Sequence, residues 1–293
     1  SAKNQSKILI PAEHCTIEEV LKIQSHTENA ADTLSLRLPL DSDRLGPINL
    51  SNTPNQSQLE TELAQIPVYA HVRLIEGESE SILEIIYMTF FAYNGEYALC
   101  GLPLIKAGMH DGDWEHVTVR IDAKSGEFYG IYYNSHRNCE GHWRNSPTLI
   151  DKESNRICSY IAKAGHGHYE KHGTVFRLFG IANDKCSEHG PRWKPSKCIV
   201  VTCMNWTDEI PSVNSRGKIK YSDRKNPRRI ENMITNSSLI GGVEVELGGM
   251  QEWLKFEGAW GTSVAPNRQN WFIQAEHPKS LTPFRRMFLP CTA

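Results

Sequence analysis

With 293 residues, 32 basic against 34 acidic side chains and a formal charge of -2, the chain is long enough to bury a sizeable core. It has no net charge bias toward nucleic acid or an acidic membrane. No stretch approaches 18 consecutive apolar residues and no signal-peptide pattern opens the sequence, so a soluble chain without a transmembrane segment is expected. Its eight cysteines are scattered with no Cys-x-x-Cys pair, which favours free thiols over a disulfide framework or a zinc cage.

In "TIEEVLKIQ", Thr16 stands three residues before Glu19, a capping-box spacing that predicts a short helix. Ser, Asn and Pro dominate residues 42–59 and predict a loop. From residue 67 the pattern changes. "PVYAHVRLI", "SILEIIYMTFFAY", "WEHVTVRID", "GEFYGIYYN", "RICSYIAKA", "TVFRLFG", "KCIVVTCM" and "GGVEVEL" are β-branched and aromatic-rich, punctuated by Gly, Asn, Asp or Pro, and read as strands. "SILEIIYMTFFAY" is apolar on both faces and should be central. "DAKSGEF" reads as a hairpin connection, and the basic run "SRGKIKYSDRKNPRR" (215–229) as a solvated loop rather than a phosphate-binding patch. The expected organisation is one domain, 1–293, sheet-dominated with helices at its edges. Residues 1–66 form a helical and loop elaboration, 67–250 the β-rich core carrying the site, and 251–293 a C-terminal loop and helix.

Eight of the twelve histidines lie between residues 110 and 189, which marks that region for chemistry near neutral pH. In "HDGDWEHV", strand alternation places Asp113 and Glu115 on one face, within reach of His110 from the preceding turn. One imidazole and two carboxylates suit a hard or borderline divalent cation. The plainer alternative is a polar strand end, with Trp114 and His116 facing the other way. Further on, Cys139 lies three residues from both His136 and His142, a setting that lowers a thiol pKa. Asp184 follows His172 by twelve residues, so a strand, turn and return strand would set those two opposite one another. Cys139 reads otherwise as a small half-buried turn residue. Cys158, Cys198 and Cys203 sit in apolar strand patterns and read as core, and Cys186, near His189, is the competing thiol. His166 and His168 share a face if extended, as ligands or substrate contacts. The glycines around them fit a flexible loop equally.

"HDGDWEHVTVR" resembles the signature of the vacuolar-protein-sorting 62 family, with its Gly-Asp-Trp-Glu-His core, and is similar to the heptapeptide of the necrosis- and ethylene-inducing cytolysins. "YYNSHRNCEGHW", "AKAGHGHYEKHGT", "GIAND" and "FEGAWG" resemble the same order of strand-end motifs, over roughly residues 85–265. The resemblance implies an α+β fold with an antiparallel β-sandwich-like core flanked by helices. It also implies a divalent metal held by His110, Asp113 and Glu115, although the cytolysins' upstream aspartate has no counterpart in "YALCGLPLIKAGM". The order Cys139, His172, Asp184 is similar to that of cell-wall amidases and peptidases among the papain-like hydrolases. That resemblance implies a thiolate nucleophile, an imidazole base and an orienting carboxylate, with main-chain amides as oxyanion donors and no cofactor. The whole chain resembles secreted effectors of Legionella, which implies virulence-related delivery into the host cytoplasm and a host protein or peptide-like substrate.

Three readings follow. The first is a thiol hydrolase, that is, a cysteine protease, amidase or acyl transferase. The second is a binding or cytolysin-like module with a divalent metal and membrane-surface contact. In the third, a sorting adaptor, the motif is structural and Asp113 and Glu115 are bonded to backbone amides or to basic side chains such as Arg120, Arg137 and Arg144.

Overall fold

The computed structural model describes residues 8–11, 15–37, 55–77, 81–95, 97–98, 106–107, 110–135, 143–144, 150–151, 156–201, 209–213, 219–223, 244–249, 252–256, 258 and 260–261. Strand β1 (Ile8–Pro11) is followed by helices α1 (Ile17–Ser25) and α2 (Ala30–Thr33), strand β2 (Leu34–Arg37) and helix α3 (Gln56–Ala64). The capping box is present: Glu19 N donates to the Thr16 hydroxyl at 3.3 Å and Thr16 N to the Glu19 carboxylate at 2.7 Å. Helix α3 stands partly inside the stretch expected to be loop. It starts where the Asn55 side chain accepts from Gln58 N and buries no residue, so it carries no apolar stripe by which periodicity would reveal it.

The remainder is mostly β-strand. Strands β3 (Val68–Gly77), β4 (Ser81–Asn94), β5 (His110–Asp122) and β6 (Phe128–Tyr133) run antiparallel as neighbours. A small hairpin, β7 (Gly173–Val175) with β8 (Asp184–Cys186), stands apart from that sheet. Three parallel pairings then extend the sheet beyond β3. Strand β9 (Lys197–Val201) pairs with β3, β10 (Glu209–Val213) with the far end of β3, and β12 (Glu244–Gly249) with β9, while β11 (Ile219–Asp223) closes antiparallel on β10. The basic stretch 215–229 therefore contains a strand at 219–223, where a loop was expected. "TVFRLFG" is extended only to Val175 before a 3-10 turn at Leu178–Gly180. "RICSYIAKA" supplies only the two-residue strands Arg156–Ile157 and Tyr160–Ile161.

Strand β4 lies between β3 and β5, as its two-faced apolarity requires. Leu83 and Ile85 join Val72, Val119, Ile121, Ile131, Cys198 and Val200 on one face. Ile86 and Met88 join Val201, Trp114 and Trp253 on the other. The β5–β6 turn is tied by Asp122, whose carboxylate accepts from Ser125 N at 2.6 Å and Lys124 N at 2.9 Å. Those bonds, with one from the Ser125 hydroxyl, hold the Asp122 carboxyl down at about 2.

A third cluster joins the two ends of the described chain. Ile10, Val20, Leu34 and Leu36 surround Phe256, Gln24 donates to Lys255 O at 2.9 Å, and the Ser35 hydroxyl donates to Gly261 O at 2.6 Å. Residues 8–37 thus share a core with 252–261. The helix expected near the C-terminus and Cys203 lie outside the described residues.

Candidate functional site

Strand β5 sorts its motif by alternation, as read from the sequence. Trp114 stacks on Trp253 at 5.2 Å between ring centroids. Asp113 and Glu115 emerge on the opposite face, continued by Val117 and Val119. Glu115 is buried and accepts from Asn134 Nδ2 at 2.7 Å. Burial and the nearby Asp113 charge hold its carboxyl well above the usual range, against the pull of the Asn134 bond. Asp113 pairs with His166 Nδ1 at 2.9 Å. That imidazole lies flat on Phe91, centroids 4.0 Å apart and planes within 5°, and Phe91 is the cross-strand neighbour of Asp113.

His166 sits in a tight turn, with φ of 52°. The turn is closed by His166 N to Ala162 O at 3.1 Å and Ala162 N to Gly167 O at 2.9 Å, and Gly95 N ties it to the end of β4 through Ala164 O. His168 is aimed elsewhere. Its Nδ1 meets the Ser159 hydroxyl at 2.8 Å and its Nε2 the Thr89 hydroxyl at 3.3 Å, and Thr89 donates onward to the Glu115 carbonyl. Burial, with the adjacent His166, pushes the His168 imidazole down to about 4, so it stays neutral between its two hydroxyl partners. The turn therefore separates His166 and His168 instead of giving them a common face.

Of the thiol triad, Cys139 and its neighbours His136 and His142 lie outside the described residues. His172 and Asp184 are described, and they are not partners. The hairpin pairs Val175 with Asp184 and Gly173 with Cys186, which carries Asp184 toward the tip and His172 past the base. His172 is half exposed, 3.3 Å from Glu188. Asp184 is fully buried, accepts from the Tyr169 hydroxyl at 2.5 Å and lies 3.6 Å from Arg177 Nη1. The competing thiol is suppressed, since burial and then the Asp184 charge push Cys186 up to about 11. Cys198 is core as expected, its thiol pushed up to about 12 by burial. Cys158 is exposed instead, because it falls between two short strands. Iodoacetamide at pH 8 should therefore label Cys158 well before Cys186 and Cys198, as peptide mass mapping would show. Early labelling of Cys186 would contradict this arrangement.

The metal trio implied by the cytolysin resemblance is not assembled. His110 Nδ1 faces the Gly112 carbonyl of its own strand at 3.0 Å, Asp113 is taken by His166 and Glu115 by Asn134. Among the described residues, no three His, Cys, Asp or Glu side chains are grouped to hold an ion. Arg120 goes to Glu84 on the other face rather than to either motif carboxylate. Arg137 and the Arg144 side chain lie outside what is described.

The late motif "FEGAWG" meets "HDGDWEH" directly. Trp260 packs edge-on against Trp114 at 5.5 Å, and the two backbones cross at Gly112 and Gly261. A Cβ on Gly112, whose φ is +69°, would lie 2.1 Å from Trp260 O, and one on Gly261 1.8 Å from Asp111 O. Asn134, Phe91, Tyr169 and Arg177 join the site without having stood out in the sequence. The available signal was an Asn-Ser pair directly after the apolar run "FYGIYY", where both side chains end up buried.

The family model described as vacuolar protein sorting-associated protein 62 matches residues 43–192. No curated protein matches the sequence. Among solved structures, the chain is similar to necrosis and ethylene inducing protein 2 from the causal agent of cocoa's witches' broom disease. The identity is 10% and the TM-score 0.26, over 61% of this chain and 62% of that one, so less than two thirds of that protein's length is spanned. On the family match, the chain belongs to the vacuolar protein sorting-associated protein 62 family.

Proposed function

We propose that this chain is a non-enzymatic binding module. Its Gly-Asp-Trp-Glu-His strand end fastens the 159–169 segment and the FEGAWG segment to opposite faces of the sheet, in a sandwich-like layering with helices at its rim. One observation carries the reading: each described candidate side chain is committed to another group of the protein. His110 is turned to Gly112 O, Asp113 to His166, Glu115 to Asn134, His172 to Glu188 and Asp184 to Tyr169. A catalytic metal site keeps a position open for water or substrate, and a triad needs its base hydrogen-bonded to its orienting carboxylate. This pattern of commitments supports anchoring over either.

The test is Glu115→Gln, which keeps an acceptor for Asn134 and removes the ionisation. The folded Glu115 carboxyl holds its proton to higher pH than the reference value of about 4.3. Its contribution to stability is therefore whole below that reference value and is lost as pH rises toward the folded one. Glu115→Gln should accordingly melt at or above wild type at pH 8, with the difference growing in the variant's favour between pH 5 and 8, and with no change on adding chelator. If the variant melts lower than wild type in calcium, magnesium or zinc buffer and equal to it in chelator, the carboxylate holds a cation and the anchoring reading fails.

A further inference from the structure

Three of the large apolar side chains exposed among the described residues fall within six positions of one another. Phe176 is 76% exposed, Phe179 fully exposed and Ile181 43% exposed, all on the connection between β7 and β8. Phe179 has a left-handed φ of 57°, a conformation unfavourable for a side chain of that size, and it carries the ring away from the protein. Apolar groups held outward in a strained turn are not a failed core. They are presented.

The backbone beneath them is braced around Arg177. Arg177 O accepts from Gly180 N at 2.8 Å and from Ala182 N at 3.4 Å, while Arg177 N donates to the Asn183 side chain at 3.2 Å. These three N–H groups are satisfied within the tip, which holds its turn in shape while the apolar side chains face outward. The base is fixed by the buried Asp184, held by Tyr169 and Arg177, so little ordering remains to be done on docking. Around that base stand exposed Lys163, Lys171 and Lys185, the first bonded through its backbone N to the Lys185 carbonyl at 2.8 Å. Of the acidic neighbours Glu170 and Glu188, the latter faces His172. An apolar wedge with a basic collar matches the interface of a bilayer containing anionic lipid.

We propose that the β7–β8 tip is a membrane-interface wedge, in which Phe176, Phe179 and Ile181 enter the acyl boundary of an anionic phospholipid surface and the surrounding lysines meet its headgroups. This names a partner for the binding-module reading and rests on it. The melting experiment on Glu115 needs no lipid, so the two ideas can fail separately.

The experiment is co-sedimentation of the full chain with vesicles of phosphatidylcholine containing a quarter phosphatidylserine. Wild type should sediment with them, and F176S/F179S should partition at least about 10-fold less, since each buried ring supplies a large share of the transfer energy. F176L/F179L, apolar but not aromatic, should keep most of the binding, and all three proteins should melt alike because these side chains touch little. The proposal is overturned if wild type stays in the supernatant or if F176S/F179S sediments equally well. It is also overturned if wild type ignores vesicles yet runs as a dimer that F176S/F179S dissolves, since a second copy of the chain would then be the occupant.

Discussion

A single methyl group added at Gly261 is expected to cost about 3–5 kcal/mol of stability, a fall in Tm of roughly 6–20 °C. The added carbon would stand 1.8 Å from the Asp111 oxygen, 2.3 Å from its carbonyl carbon and 3.0 Å from Gly112 N. Those atoms belong to the backbone of β5, whose strand is hydrogen-bonded to β4 along its length, so no side-chain rotation can relieve the clash. Either strand β5 or the 260–261 segment must retreat. Retreat would pull Trp260 from Trp114 and strain the bond from Ser35 to Gly261 O. Gly112→Ala opens the same crossing from the other side and adds the strain of a positive φ. The double variant should therefore lose much less than the sum of the two singles. Urea denaturation of the three proteins, with near-ultraviolet circular dichroism to follow the tryptophans, decides the matter. A Gly261→Ala protein as stable as wild type would mean that the two motifs do not cross.

The second large effect is expected at Arg120. On the Trp114 face of the sheet, Glu84 is 1% exposed and directly opposite Arg120, which holds its carboxylate through Nε at 2.9 Å and Nη2 at 2.8 Å. Arg120→Met removes both of these charge-assisted bonds from a buried carboxylate and should cost about 2–4 kcal/mol. The converse change, Glu84→Leu, should cost less. Arg120 is 21% exposed and can carry its head toward water along its own stem. Replacing both residues returns the pair to an apolar patch beside Ile86 and should recover most of the loss. A double-mutant cycle in urea reads the coupling, and an Arg120→Met cost within error of zero would show that the ion pair is not structural.

What could be seen from the sequence is whatever local chemistry decides. Thr16 and Glu19 announced α1 because a capping box is complete within four residues. Strand β4 announced its central place because its apolarity has no solvent side. Alternation alone sent Asp113 and Glu115 one way and Trp114 the other. The relation of His172 to Asp184 was not legible in the same way. The hairpin between them was foreseeable, but its strands are three residues long and lack an apolar face that would fix their register, so counting residues could not say what lies opposite what. Helix α3 was hidden by having nothing to bury. The partners of the carboxylates, His166 in a turn and Asn134 beyond a strand, depend on how distant segments meet. On the opposite face, the meeting of FEGAWG with the motif is recorded in the sequence as glycines at 112 and 261.

The bond from Ser35 to Gly261 spans 226 residues, and that separation sets a schedule for synthesis. Residues 8–37 leave the ribosome before 252–261, with Ile10, Val20, Leu34 and Leu36 lacking the Phe256 ring that fills their centre. At about 5–20 residues per second the wait lasts roughly 11–45 s. Through that interval the N-terminal helix and its strands are an unfinished apolar surface, open to chaperones and to neighbouring nascent chains. The last stretch of the described chain to be made is the one that seals the first.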